Sequence, residues 1–307
     1  MNQTAKSRAA LLSILSNTLL IALKLVVGIM MQSVSVISEA AHSGLDLVAA
    51  IIAWYSIRES GKPADDEHRY GHGKFENVAG TVEALLIFGA AAYIIVEAVR
   101  KLASGTVMVE NLGAGVAVMA VSAIANYLVS RHLLKVARRT GSVALEADAM
   151  HLRTDVYTSA GVLSGLLAIN FTGMHILDPL IAIGVALLIL KAAYELTRHA
   201  FFPILDVRLP DEEEQLIHNV MKGFAGQIVE YHKLRTRKSG HIRQIDMHLL
   251  VPRLCTVGKA HELSNQIERQ IEAQLPESQI LVHIEPCRGE CMNCPAECPE
   301  KNLDLNP

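Results

Sequence analysis

Aromatic residues are scarce in this 307-residue chain, at 5% with a single Trp, and the formal net charge is only −3. With so small an imbalance and no block of Lys or Arg long enough to hold phosphates, nucleic acid is excluded as a partner. No nucleophile motif, P-loop or Gly-rich phosphate cradle occurs, which argues against an enzyme and against ATP as an energy source. Low-complexity segments and repeats at solenoid periods are also missing, so neither a disordered polymer nor a stacked array is indicated. Cysteine is nearly absent outside one place: four of the five lie between positions 287 and 298.

What the chain has in abundance is apolar sequence, 51% of its residues, and it is unevenly spread. Residues 9 to 200 are dominated by long hydrophobic runs, whereas residues 206 to 307 are an ordinary mixed polar sequence. A membrane-crossing helix needs about 20 mostly apolar residues, and six segments qualify, roughly 9–31, 34–57, 77–99, 112–135, 143–169 and 177–197. The first follows Lys6 and Arg8 but is too long for the apolar core of a signal peptide. Lys and Arg then assign the sides. They gather before the first segment, between the second and third (Arg58, Lys62, Arg69, Lys74) and between the fourth and fifth (Arg131, Lys135, Arg138, Arg139). Arg100 and Lys101 are the exceptions. Both termini are therefore expected in the cytoplasm of a multi-pass inner-membrane protein.

The polar part is expected to form a small αββαβ unit, an open sheet with helices on one side. Its helices are expected at 211–224 and 258–275 and its strands at 230–238, 241–251 and 279–285. Pro210 and the acidic run that follows suit a helix start, where carboxylates are favoured. Expected boundaries are 1–203 for the membrane domain, 204–286 for the αββαβ domain and 287–307 for a Cys-rich tail.

Inside the apolar runs lie polar groups that such runs ordinarily exclude. "EAAHSGLD" places His42 and Asp46 four residues apart, and "MHLRTD" repeats the spacing with His151 and Asp155. A helix sets each pair on one face, one turn apart. Each pair could satisfy itself through a His–Asp hydrogen bond that glues helices together. Two pairs with one spacing also supply two imidazoles and two carboxylates, four donors that suit a tetrahedral divalent metal, zinc first. Ionisable residues at membrane depth usually mark an ion path. Lys24, also within an apolar run, receives no role.

A loop, "PADDEHRYGHGK", offers Asp65, His68 and His72 at turn or helix spacing, with Asp66 and Glu67 as possible substitutes. It is equally readable as a solvated polar loop. His232, His248, His261 and His283 fall on different elements of the polar part, followed by Glu285 in "LVHIEP". If the sheet forms as expected, His248 and His283 come onto nearby strands. Cys287, Cys291, Cys294 and Cys298, with gaps of three, two and three residues, suit Zn²⁺ or an iron–sulfur cluster, or they form a disordered tail of free thiols. Cys255 is expected to be a simple packed or exposed thiol.

Six spans, paired His and Asp in the second and fifth, the "PADDEHRYGHGK" loop, "YHKLRTRKSG", "HIEP" and an αββαβ domain together resemble the cation diffusion facilitators, over essentially residues 8 to 286. The likeness is to bacterial zinc and ferrous-iron efflux proteins. It implies a homodimer in the lipid bilayer, with a ferredoxin- or metallochaperone-like cytosolic domain, that exports a divalent cation in exchange for protons. It implies a transport site at His42, Asp46, His151 and Asp155, and a loop site at Asp65, His68 and His72. It also implies a cytosolic site at His232, His248, His261, His283 and Glu285, and an interdomain salt bridge between Lys74 and Asp206. His rather than Asp at position 42 matches the zinc-preferring pattern of that family. Fe²⁺, Co²⁺, Ni²⁺ or Cd²⁺ would fit similar ligands, and a membrane metal sensor is the reading from another class.

Overall fold

A computed structural model describes residues 2–30, 34–104, 113–172 and 176–288. The chain divides into two compact units, Met1–Ile204 and Leu205–Pro307.

The first unit is built from six long helices: α1 (Asn2–Met30), α2 (Val34–Ser60), α3 (Lys74–Ser104), α4 (Gly113–Thr140), α5 (Val143–Thr172) and α6 (Leu177–Phe201). Among the described residues, three segments are long and apolar enough by themselves to cross a membrane: Gln3–Met30 in α1, Lys74–Arg100 in α3, and Pro179–Leu205, which runs through α6 into the turn after it. The carboxylates and imidazole of the metal-ligand candidates lie instead on α2 and α5, which is where polar residues interrupt the apolar runs.

Burial in this unit is inverted relative to a water-soluble bundle. Large apolar side chains point outward, among them Leu15, Leu19 and Ile29 of α1, Leu85 and Val99 of α3, and Leu187 and Leu188 of α6. The interior seams carry small residues: Ala9 and Ala10, Ala49, Ala50 and Ala53, Ala144, Ala147 and Ala149, all at 2% exposure or less. Small residues let helix backbones approach closely where lipid removes any hydrophobic drive for association. An apolar surface of this extent belongs against hydrocarbon rather than water. Threonines 18, 81, 140, 154 and 197 each donate to the carbonyl four residues earlier, so their hydroxyls are satisfied without a partner helix.

The second unit has the order α7 (Asp211–Gly223), β1 (Glu230–Ser239), β2 (Ile242–Val251), α8 (Val257–Gln274) and β3 (Ser278–Pro286). Its sheet runs β1-β2-β3, the first pair antiparallel and the second parallel. The first turn of α7 carries Asp211, Glu212, Glu213 and Glu214, where the exposed helix N–H groups favour negative charge. Thr256 caps α8, its hydroxyl accepting from the Lys259 N–H. Ile245, Met247, Leu249 and Val251 alternate along β2 and bury at 4% exposure or less, packed with Ile217, Val220 and Met221 of α7 and Leu263, Ile267 and Ile271 of α8. The opposite face of β2 presents Asp246 and His248, which leaves the histidine row on the side away from this core.

Candidate metal centres

Within the first unit, Asp46 of α2 and His151 and Asp155 of α5 converge, each offering a donor atom within 4.8 Å of the others. His151 Nε2 lies 3.0 Å from Asp46 Oδ1. A carboxylate can only accept, so this nitrogen carries the proton. The contact joins two helices, in place of the bond within one helix that the His-x-x-x-Asp spacing also allowed. Asp46 and His151 are buried and Asp155 is half-buried. Asn126 of α4 donates to Asp155 Oδ2 at 3.4 Å, and Asn17 of α1 donates to the Asp46 carbonyl at 3.4 Å, so four helices shape the site. His42 is on α2 one turn before Asp46, and its side chain lies outside the described residues. Lys24 of α1 is buried, its Nζ 2.7 Å from the Ser43 hydroxyl.

Asp65, His68 and His72 form the second grouping, in the connection between α2 and α3. Asp65 Oδ1 accepts from the backbone N–H groups of His68 (2.6 Å) and Glu67 (3.1 Å). The bond from His68 is the main reason that the Asp65 carboxyl is held below the usual carboxylate range. His72 Nδ1 donates to the Pro63 carbonyl at 3.2 Å, which turns Nε2 toward Asp65 Oδ2, 3.3 Å away. Fixing one ring nitrogen by a carbonyl in this way leaves the other available as a ligand. The chain reverses here through Gly71 at φ +80°, a conformation that glycine adopts at little cost. The His68 and His72 rings lie 4.3 Å apart between centres, tilted by 41°.

The third grouping, His232, His248 and Glu285, follows from sheet register. His232 pairs with His248 across β1 and β2, and His248 pairs with His283 across β2 and β3, so three imidazoles stand in one row. Glu285 reaches across them, Oε1 accepting from His248 Nδ1 at 2.7 Å and Oε2 lying 3.3 Å from His232 Nε2. The hydrogen bond from His248 is the first cause of the lowered pKa of Glu285. His283 is at the edge of the group, its Nε2 3.7 Å from Glu285 Oε1. His261 is placed elsewhere, on α8, with its Nε2 3.3 Å from the Asn265 amide.

Of the remaining candidates, Asp206 receives Arg237 Nη1 at 3.2 Å on both oxygens, and Lys74 Nζ lies 3.4 Å from the Ile204 carbonyl. Cys291, Cys294 and Cys298 lie outside the described residues, while Cys287 and Cys255 are free thiols. Sequence reasoning missed Lys6, Glu76, Glu83 and Asp148, all completely buried. A charged residue at membrane depth is signal enough to have raised them.

The cation efflux transmembrane domain matches residues 10–205, and the cation efflux protein cytoplasmic domain matches residues 209–287. The chain belongs to the cation diffusion facilitator family. It is thus a membrane transporter of metal cations, with helices in the membrane and a small cytosolic domain built on a three-stranded sheet. It is 33% identical over 281 residues to the cation-efflux pump FieF of Escherichia coli, covering 92% of this chain and 93% of that one. It is 36% identical over 254 residues to an uncharacterised transporter of Synechocystis, covering 83% and 82%. A solved zinc-form structure of the transporter CzrB shares 33% identity over 27% of this chain and 93% of that one, with a TM-score of 0.25.

Proposed function

We propose that this facilitator crosses the inner membrane six times, with both termini in the cytoplasm, and exports a divalent cation, Zn²⁺ foremost, in exchange for protons as a homodimer. The observation that supports it most is the approach of His151 to Asp46 across two helices, with Asp155 alongside. Imidazole and carboxylate together suit zinc better than harder ions such as manganese. The metal-free arrangement is closed by the proton on His151 Nε2. A cation entering among Asp46, His151, Asp155 and His42 takes the place of that proton, and release outside lets a proton return. The loop group and the histidine row are read as cytosolic cation sites of the same chain. The cysteines of the tail are read as a further thiolate site for Zn²⁺.

The test is flux in proteoliposomes under an imposed pH gradient, with Zn²⁺, Fe²⁺, Co²⁺, Ni²⁺, Cd²⁺ and Mn²⁺ supplied singly. Zinc should be carried with counterflow of protons, and Asp155→Ala should abolish it. Transport that survives Asp155→Ala, or manganese carried better than zinc, would overturn the assignment.

A further inference from the structure

Two acids of the membrane unit belong to none of the metal groupings. Glu83 of α3 and Asp148 of α5 are completely buried, and none of their carboxylate oxygens has a hydrogen-bond partner. Glu83 lies within electrostatic reach of Asp148, and Asp148 within reach of Asp46 and His151. From the helices packed on α3 and α5, the charged groups acting on the pair are Asp46 of α2 and His151 of α5, and α1 contributes the hydroxyl of Ser13 beside Asp148. That hydroxyl is itself buried and unpartnered.

The surroundings are apolar. Ala84 and Ala147, the neighbours of the two acids in sequence, belong to one buried apolar cluster with Ile87 and Ile189. Ala149 belongs to a second apolar cluster. Glu76, two turns before Glu83 on α3, shows what a satisfied buried acid looks like: Lys6, Ser60 and Ser142 all donate to it. Glu83 has no such donor, and Asp148 has only the Ser13 hydroxyl beside it.

Carboxylates buried in an apolar seam without protein partners are costly, and binding a cation removes the cost. The cation that fits is the proton. A transition ion takes about four donors and prefers nitrogen or sulfur, whereas this seam offers two carboxylates and one hydroxyl. We propose that Glu83 and Asp148 form a proton-holding station between α3 and α5, coupled through Asp148 to the cation held by Asp46, His151 and Asp155.

The proposal rests on the transport reading above and adds to it the residues that carry the exchanged proton. In the metal-free chain an O–H bond on one acid keeps the pair at low charge. A divalent cation arriving beside Asp148 repels that proton. The O–H bond breaks with its electron pair left on the carboxylate oxygen, the proton passes to water, and the anion offsets the new charge. Departure of the metal reverses each step. The coupling is reciprocal: a proton on the station weakens the metal, and the metal weakens the proton.

The test uses the full chain as wild type, Glu83→Gln, Asp148→Asn and the double variant. Protons released per Zn²⁺ bound are counted by calorimetry in buffers of different ionisation enthalpy, and gradient-driven Zn²⁺ uptake is measured in proteoliposomes. Each variant should keep its Zn²⁺ stoichiometry and release about one proton fewer per ion. Gradient-stimulated uptake should drop at least about 5-fold, the low end of coupling between two sites. Because a variant can fail to fold, a second readout uses the wild type alone. The infrared carbonyl band of a protonated carboxylic acid should be present without metal and vanish when Zn²⁺ is added. Wild-type proton release in both single variants, absence of that band, or loss of a Zn²⁺ in Glu83→Gln would each overturn the proposal. Failure of the transport reading shows separately, as flux that survives Asp155→Ala, and leaves the infrared band to decide on the acid pair.

Discussion

Lys6 and Glu76 meet at 3.0 Å with neither side chain exposed at all. The pair ties α1 to the start of α3, and the hydroxyls of Ser60 of α2 (2.9 Å) and Ser142, just before α5 (2.6 Å), donate to the same carboxylate. Four parts of the membrane unit are thus held by one buried acid. Removing one member leaves the other as an uncompensated buried charge, which costs about 3–5 kcal/mol. Lys6→Met and Glu76→Leu should each lower the thermal midpoint in detergent substantially. The double variant should lose less than the sum of the two, and strict additivity would show that the ions do not act as a pair.

His42→Asp should shift selectivity away from zinc. Replacing an imidazole by a carboxylate hardens the donor set. The ratio of Zn²⁺ to Mn²⁺ flux should fall by about tenfold, equivalent to about 1.4 kcal/mol of differential affinity. An unchanged ratio in the metal panel would remove His42 from the selectivity argument.

Glu285→Gln should weaken the cation binding proposed for the histidine row without unfolding the domain. Glu285 touches both His248 and His232, while the core residues Ile245, Met247 and Leu249 face the other way. Calorimetric affinity for the cytosolic cation should drop by at least about 10-fold, since even outer partners of metal ligands are worth 10- to 100-fold. The melting transition should stay in place.

Stability of the cytosolic unit should decline on the acid side through Glu213. Arg243 donates to both its oxygens, at 2.7 and 2.9 Å, and this hydrogen bonding is the first cause of its lowered pKa. A carboxyl whose folded value is below its unfolded one stabilises the fold above the ordinary glutamate range. That contribution fades as pH falls through the folded value. Glu213→Gln should flatten the acid limb of a melting-temperature profile by lowering the neutral-pH midpoint, modestly because Glu213 is partly exposed, while the acid end stays in place.

Much of this was legible in the residues. Helix positions followed from apolar run length, and β2 followed from the alternation of Ile245, Met247, Leu249 and Val251. Both are local periodicities that a chain states directly. The start of α7 was readable from Pro210 and its acidic successors. The placement of His248 beside His283 was foreseen only as a condition on the sheet, and the strand register supplies it. His261 could not be placed, because a residue on an exposed helix face carries no pattern that says which sheet edge it meets. Glu83 and Asp148 passed unnoticed because they lie on different helices, and spacing along one helix does not say which acids meet across two.

The sequence alone determined the donors and their spacing: His42 with Asp46, His151 with Asp155, each pair one helical turn apart. It also determined the division between an apolar and a polar half. Tertiary structure decided the pairing. His151 bonds to Asp46 of another helix, Lys6 to Glu76 of α3, and Glu83 is buried within electrostatic reach of Asp148. Intrahelical geometry brings side chains onto one face but does not choose what faces them. That choice belongs to the small-residue seams that set which helices touch, and in an apolar interior it decides which charges are neutralised by protein and which are not.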